Sequence, residues 1–395
     1  MNFKKIVIVG KGVLGMMAAT VLLPYCKEIF IISTNNNSKK EKKESRSFAL
    51  NLLSEYMLRK HNIWRSLDSS SVNSFDKISV LDTYSSSTIN FESSDVSLNR
   101  MGHIINESNL FEELEKSIND NSSIEILDGL KIETINSDYK NVQINNNKKL
   151  EFDLLINTDK TVNCLYSDGL FLRKIHDYNQ TAYCLNIEKS DKSDDTAFQR
   201  FNNDEIQGLL PLNKDYYNLI WTLPNNSFKK ISNLDNESLK KRISDDLLPL
   251  IGKIKSISQP VSFPLKNIIV DKHTNKRLIL MGDAAHTLHP LAGLGLNMGI
   301  QDLFLLEYAF INSSEIHDLL NFYSKNSHIS NFKINNIINM LKKFYSTKLL
   351  PKIIKKTSFE IFNKSTSMKS HAIREATGIN VLETHLRTQY TETYY

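Results

Sequence analysis

The chain opens on a change of texture. Residues 3–9, FKKIVIV, are short and β-branched, the pattern of a strand buried in a parallel sheet. GKGVLG follows, then MMAATVLL, which reads as a helix, and then EIFII over 28–32, a second strand. Strand, glycine turn, helix and strand make a βαβ unit. Residues 34–46 are polar and read as a loop, and 47–67 as helix. Short alternating runs between 74 and 98 predict antiparallel strands. A helix is expected over 107–120, and three strands over 123–157, ending in FDLLIN.

The texture changes from about 165 to 265. TAYCLNIE, TAFQRF, GLLPL and YYNLIWTL are separated by polar turns, as in an antiparallel sheet, with one helix near 236–250. RLILM, 277–281, returns to the buried-strand pattern, and helix dominates afterwards. The fold class is therefore α/β. A nucleotide-binding domain is expected from 1–73, 98–164 and 266–325, a second domain from 74–97 and 165–265, and a helical region over 326–395.

Composition narrows this only a little. With 395 residues, two domains are the better expectation. An apolar fraction of 41% and a charged fraction of 24% are ordinary for a globular protein. The net charge of +5 does not by itself call for nucleic acid. Cys26, Cys164 and Cys184 form no CxxC pair, which argues against a disulfide framework and suits a reducing, cytoplasmic setting. Lys4 and Lys5 precede an apolar run as in a signal peptide, but Lys11 interrupts it. No later run is long and apolar enough to span a membrane.

Glycine changes the picture more. Of 13 glycines, seven fall in two segments: Gly10, Gly12 and Gly15, then Gly282, Gly293, Gly295 and Gly299. Each segment joins a strand to a helix. GKGVLG satisfies GxGxxG, in which the glycines allow a tight turn, the approach of a pyrophosphate and close helix–strand packing. The acidic residue expected at the end of the second strand is replaced by Ser33 and Thr34. In GDAAHTLHPLAGLGLNMGIQD, Gly282–Asp302, Asp283 follows a strand directly and can accept from a ligand hydroxyl. The glycine-rich helix start beyond it offers bare N–H groups to negative charge. His286 and His289 lie in the same segment, but Pro290 and the missing acidic partner argue against a metal site, and none is expected. No GxSxG nucleophile motif exists.

Gly282–Asp302 resembles the second flavin motif of the FAD-dependent aromatic hydroxylases of ubiquinone biosynthesis, within the para-hydroxybenzoate hydroxylase superfamily. GKGVLG matches the family's N-terminal motif, and SRSFALNLLSEYMLRKHNIW its helix with a leading arginine. TAYCLNIE, TAFQRF, GLLPL and YYNLIWTLP resemble its substrate-domain strands. The resemblance covers about residues 3 to 310. It implies a Rossmann-like FAD-binding domain with an inserted, mainly antiparallel β-sheet substrate domain and C-terminal helices. Gly10, Gly12 and Gly15 would hold the FAD pyrophosphate, with Arg46 near it. Asp283 would bond the ribityl or ribose region, and Gly293, Gly295, Leu296 and Asn297 would line the isoalloxazine. Asp159 belongs to a run tied to FAD and NAD(P)H. The implied reaction uses NAD(P)H and oxygen to hydroxylate a polyprenylated phenol. The chemistry would be the cofactor's, and no catalytic side chain is named.

Three positions depart from the family pattern: Ser33, Lys160 in place of a glycine, and Leu294 in place of a glutamine. They motivate a rival reading, a non-catalytic flavoprotein-like subunit of a quinone-biosynthesis complex. Another FAD oxidoreductase of the superfamily is a further alternative. Finally, eleven basic residues run from Lys325 to Arg374 with apolar residues interleaved. They form either a solvated helical face or a peripheral contact with the inner membrane. No aromatic RNA-binding motif accompanies them, so nucleic acid is not expected.

Overall fold

The computed structural model describes residues 3–33, 46–68, 71–136, 138–145, 148–167, 169–191, 195–289, 291–345 and 351–386. Thr34 and Pro290 lie outside them.

The first strand, Phe3–Val9, sits inside a six-stranded sheet, with parallel neighbours Cys26–Ser33 on one side and Leu154–Asn157 on the other. Ile6, Val7 and Ile8 are fully buried, as an interior strand of a doubly covered sheet requires. The helix Val13–Leu22 packs across one face; Met16, Met17, Ala18 and Ala19 are completely enclosed. Leu278–Leu280 extends the sheet beside Leu154–Asn157, so the two ends of the chain build one layer, and Ile124–Asp128 closes the other edge. This is the Rossmann-like domain.

The second body is a nine-stranded, mainly antiparallel sheet. Its spine is the 17-residue strand Arg173–Lys189, flanked by Val261–Val270 and Tyr216–Pro224. Trp221, Tyr217, Leu219 and Leu185 are fully buried on the face covered by the helix Asn236–Ile251. Lys77–Asp82 and Ser87–Glu92 join this sheet through a parallel pairing with Thr196–Asn202.

Several elements differ from the pattern-based expectation. Residues 47–50 are a strand, not the start of a helix; they pair with Gly102–Asn106 in a separate three-stranded sheet. The helix begins at Leu52 because the Asn51 side chain accepts from the Ser54 N–H and caps it. The stretch 123–157 holds five strands rather than three, since short Asn-rich turns break it more often than its apolar runs suggest. A second helix, Asn225–Ile231, precedes the one expected near 236–250. The helix Ile316–Tyr345 runs unbroken through the boundary expected at 325/326.

The basic C-terminal residues are not one face. Lys355 is fully buried, with Nζ 3.1 Å from the Tyr345 carbonyl and 3.9 Å from Asp82. Lys333 pairs with Glu375, Lys369 with Asp95 and Arg374 with Glu383. Much of the charge therefore fastens the last helices to the protein. Lys348 lies outside the described residues.

Candidate flavin site

The two glycine segments meet through one side chain. A Cβ at Gly282 would stand 2.3 Å from Leu14 Cδ2, and one at Gly299 would stand 2.7 Å from it. Leu14 thus wedges its isobutyl group between a turn and a helix that only glycine leaves open. The wedge brings the start of Val13–Leu22 beside the strand end and helix of the second segment.

The remaining glycines divide by what they face. Gly10 has φ +112°, and an added Cβ would meet Thr158 Oγ1 at 2.5 Å, so its role is a tight turn against the neighbouring strand end. At Gly15 a Cβ would sit 1.9 Å from the Gly10 carbonyl oxygen. That is the close packing of helix on turn. Gly293 has φ +63° and lies against Ala49. Only Gly12 and Gly295, among these seven, face open space. Gly12 precedes the helix Val13–Leu22, whose N-terminus has no side-chain cap, and Gly295 lies in the first turn of Leu294–Asn312, which also has none. Two uncapped helix starts with no side chain in front of them provide N–H groups and partial positive charge for an anion.

Asp283 is more than half exposed at the same sheet edge, and Lys160 Nζ lies 3.2 Å from its Oδ2. The replacement for the family's glycine is therefore a cation held next to the carboxylate. Asp159 is part of the same turn; its Oδ1 accepts from the Thr161 N–H at 2.8 Å. Beneath them the Nδ2 of fully buried Asn157 has no partner.

Other predicted residues serve the scaffold. The side chain of Asn297 accepts from the Asn51 N–H and Ser54 Oγ, and donates to the carbonyls of Ala49 and Gly293. All its hydrogen-bonding capacity is directed at protein, so only backbone at this position is free for a flavin. Leu296 packs into the main core. Arg46 has as partners Glu107, at 3.3 Å, and the rings of Phe48 and Phe263.

His286 is engaged by a carboxylate. Its Nε2 lies 2.6 Å from Asp302 Oδ2, which also accepts from the Gly282 N–H at 3.1 Å. Asp302 Oδ1 accepts from Ser327 Oγ. Complete burial alone would raise the Asp302 pKa, but the His286 and His273 rings and the hydroxyl together hold it below the usual carboxylate value. This buried cluster ties the strand end, the glycine segment and the two following helices together. Among the described residues, no group of three or more His, Cys, Asp or Glu is arranged to hold a metal ion.

Two features were not visible in the pattern. Asp128 stands level with Ser33 in parallel register and is held 3.4 Å from Lys11 Nζ. It offers at this edge the carboxylate acceptor that Ser33 lacks. The second is a cavity of about 330 Å³ between the large sheet and the helix Ile316–Tyr345, lined by Tyr178, Gln180, Phe201, Lys342 and Tyr345 among others. Leu288, Leu291 and Leu294 of the glycine segment share one apolar cluster with Phe201 and Tyr345, so the cavity adjoins the flavin motif. Leu294 is apolar because its surroundings are.

Comparison with known proteins agrees with this geometry. The sequence model of a family described as an FAD binding domain matches residues 176–329. That model covers less than half of the chain, and the match is to FAD binding. The chain is 26% identical to an uncharacterised protein of Synechocystis over 95% of this chain and 93% of that one. It is 20% identical to the ubiquinone hydroxylase UbiM of Neisseria meningitidis, covering 94% and 84% of the two chains. With the ubiquinone biosynthesis monooxygenase COQ6 of Dictyostelium discoideum it shares 24% identity over 76% and 75%. In fold it is similar to the p-nitrophenol 4-monooxygenase PnpA of Pseudomonas putida, with a TM-score of 0.75, 13% identity and coverage of 96% and 98%.

The matched model is that of an FAD binding domain, and the residues fit FAD. Open space at Gly12 and Gly295, two uncapped helix starts, the Lys160 cation and the Asp283 and Asp128 carboxylates together suit a diphosphate, its flanking hydroxyls and an isoalloxazine.

Proposed function

We propose that the protein is an FAD-dependent monooxygenase that hydroxylates the ring of a polyprenylated phenol in ubiquinone biosynthesis. The balanced reaction takes the aromatic C–H, O2, NAD(P)H and a proton to the ring C–OH, water and NAD(P)+. The observation that carries this reading is the junction of the two glycine segments through Leu14, with Gly12 and Gly295 left open. The named relatives support the pathway and the reaction type.

Bound FAD supplies the hydride acceptor and the means of activating oxygen. The chain binds and orients. The N–H groups at the start of Val13–Leu22 and the Lys160 ammonium meet the diphosphate, and those at the start of Leu294–Asn312 face the isoalloxazine. Asp283 and Asp128 accept from sugar and ribityl hydroxyls. The apolar wall of Leu291, Leu294, Phe201 and Tyr345 excludes water from the ring to be hydroxylated.

A membrane surface suits a prenylated substrate. No helix among the described residues is long and apolar enough to cross a membrane. However, Ile353, Met340 and Phe332 are 78%, 64% and 63% exposed, near exposed lysines, which supports a peripheral contact.

The absorbance spectrum of purified protein tests the reading, followed by NAD(P)H oxidation with a prenylated phenol. The expected result is a flavin spectrum and consumption of oxygen stoichiometric with hydroxylated product. Protein that takes up no FAD favours the non-catalytic subunit. Flavin reduction with hydride addition to the substrate and no oxygen uptake selects another FAD oxidoreductase.

A further inference from the structure

The cavity next to the glycine segment contains an ammonium group. Lys342 reaches it from the helix Ile316–Tyr345. Its Nζ lies 3.8 Å from the centre of the Tyr178 ring and 3.5 Å from Gln180 Oε1. Both contacts stabilise a cation, and neither neutralises it. Asp204 lines the same cavity, yet Lys342 has no ion-pair partner among the described residues.

His289 stands beside it. Only 2% of this residue is exposed. Its Nε2 meets Gln180 Oε1 at 3.2 Å and its ring stands edge-on to Tyr178, while Nδ1 has no hydrogen-bond partner. Burial, and then the Lys342 charge, push the His289 pKa down to about 3, so its ring is neutral. Burial raises the pKa of both Tyr178 and Tyr345, so neither phenol carries charge at neutral pH. Of the titratable groups around the cavity, Lys342 is therefore the cation and Asp204 the one carboxylate. Burial also pushes Lys342 down to about 8. A half-buried ammonium without a carboxylate partner is stabilised when something anionic joins it.

We propose that Lys342 is a specificity-determining residue that binds an anionic oxygen, phenolate or carboxylate, on the ring of an aromatic substrate lodged in this cavity. The proposal rests on the monooxygenase reading for the cavity's place beside the flavin. It extends that reading to the substrate's charge. The volume, about 330 Å³, suits a substituted ring at the lower end of small-molecule sites. Gln180 Nε2 donates one N–H to the Asp204 carbonyl and has a second to offer that oxygen. A lysine on the last long helix thus lets the C-terminal region select the substrate.

Equilibrium binding of three probes to the purified protein tests this: 4-nitrophenol, benzoate and neutral anisole. Wild type is expected to bind an anionic probe at least roughly tenfold more tightly than Lys342→Met does, with anisole changed little. Bound 4-nitrophenol should ionise at lower pH in wild type than in Lys342→Met, and Lys342→Arg should restore most of that shift. Nitrophenolate dependence assigns the site to a phenolate, and benzoate dependence to a ring carboxylate. Equal loss for anisole and the anions, or no loss for any probe, overturns the proposal. If Lys342→Met does not fold, Lys342→Gln carries the same comparison. Binding is read without turnover, so lysine-dependent anion binding in flavin-free protein would leave this proposal standing and remove the monooxygenase reading.

Discussion

The two glycine segments perform one task with different construction. The first is built from backbone alone: Gly10 turns, Gly15 packs on the Gly10 carbonyl and Gly12 leaves space. The second is fastened by side chains. Asn297 spends four hydrogen bonds on protein, and Asp302 holds Gly282, His286 and Ser327. The difference follows from position. The first segment lies between adjacent strands of one sheet, which already fix it. The second must hold a strand end, a short turn and a helix against a different sheet, and buried polar groups specify that arrangement. Within both segments, scaffold glycines and ligand-facing glycines are distinct.

The largest test of that distinction is a pair of substitutions three residues apart. Gly15→Ala places a methyl 1.9 Å from a backbone oxygen that cannot move without its strand. The expected cost is about 3 kcal/mol or more, seen in denaturant unfolding, with flavin binding lost as well. Gly12→Ala meets no atom within 4 Å, and its φ of −89° suits alanine. Stability should change by less than about 1 kcal/mol, while FAD affinity falls roughly tenfold or more as the methyl enters the anion's space. Equal loss of stability in both variants would erase the division between them.

Asp302→Asn tests the fastening of the second segment. Asparagine keeps the shape but sets an N–H against a donor, at an expected cost of about 2–3 kcal/mol near neutral pH. The pH dependence has a definite sign. The folded-state pKa of Asp302 lies below its ordinary value of 3.8, so its contribution is fully present above that value and is lost as pH falls through the lower folded value. The stability gap between wild type and variant should stay constant from pH 7 to 5 and narrow only below about 4. A gap that closes between pH 7 and 5 would assign the effect to another group.

The glycines were legible because their scarcity made clustering visible. Their partners were not. Nothing local in the sequence shows that Leu14 fills the space above Gly282 and Gly299, or that Asp128 stands level with Ser33. Those are contacts across the whole chain. Asn297 read as a flavin contact because the motif surrounds it, whereas its four partners lie in the Ala49–Ser54 stretch and at Gly293. That same stretch was misread as continuous helix: SFAL continues an apolar pattern that a helix also uses, and the cap at Asn51 was the signal that separated strand from helix. Lys342 was indistinguishable in sequence from ten other basic residues. Only the fold separates a lysine in a cavity from one tied to Glu375 or exposed to solvent.

The smallest expected effect concerns Leu294, where the family pattern has glutamine. If the second segment contacted FAD through side chains, restoring glutamine would tighten binding appreciably. The structure places Leu294 with Leu291, Phe201 and Tyr345, against the cavity rather than among polar groups. A glutamine there exchanges apolar contact for an amide with few partners, costing about 1 kcal/mol. Leu294→Gln should therefore lower the unfolding midpoint slightly and change the FAD dissociation constant by less than about threefold. Tightening by more than tenfold would mean that this position looks onto the cofactor, and the segment would then hold its ligand by side chain as well as backbone.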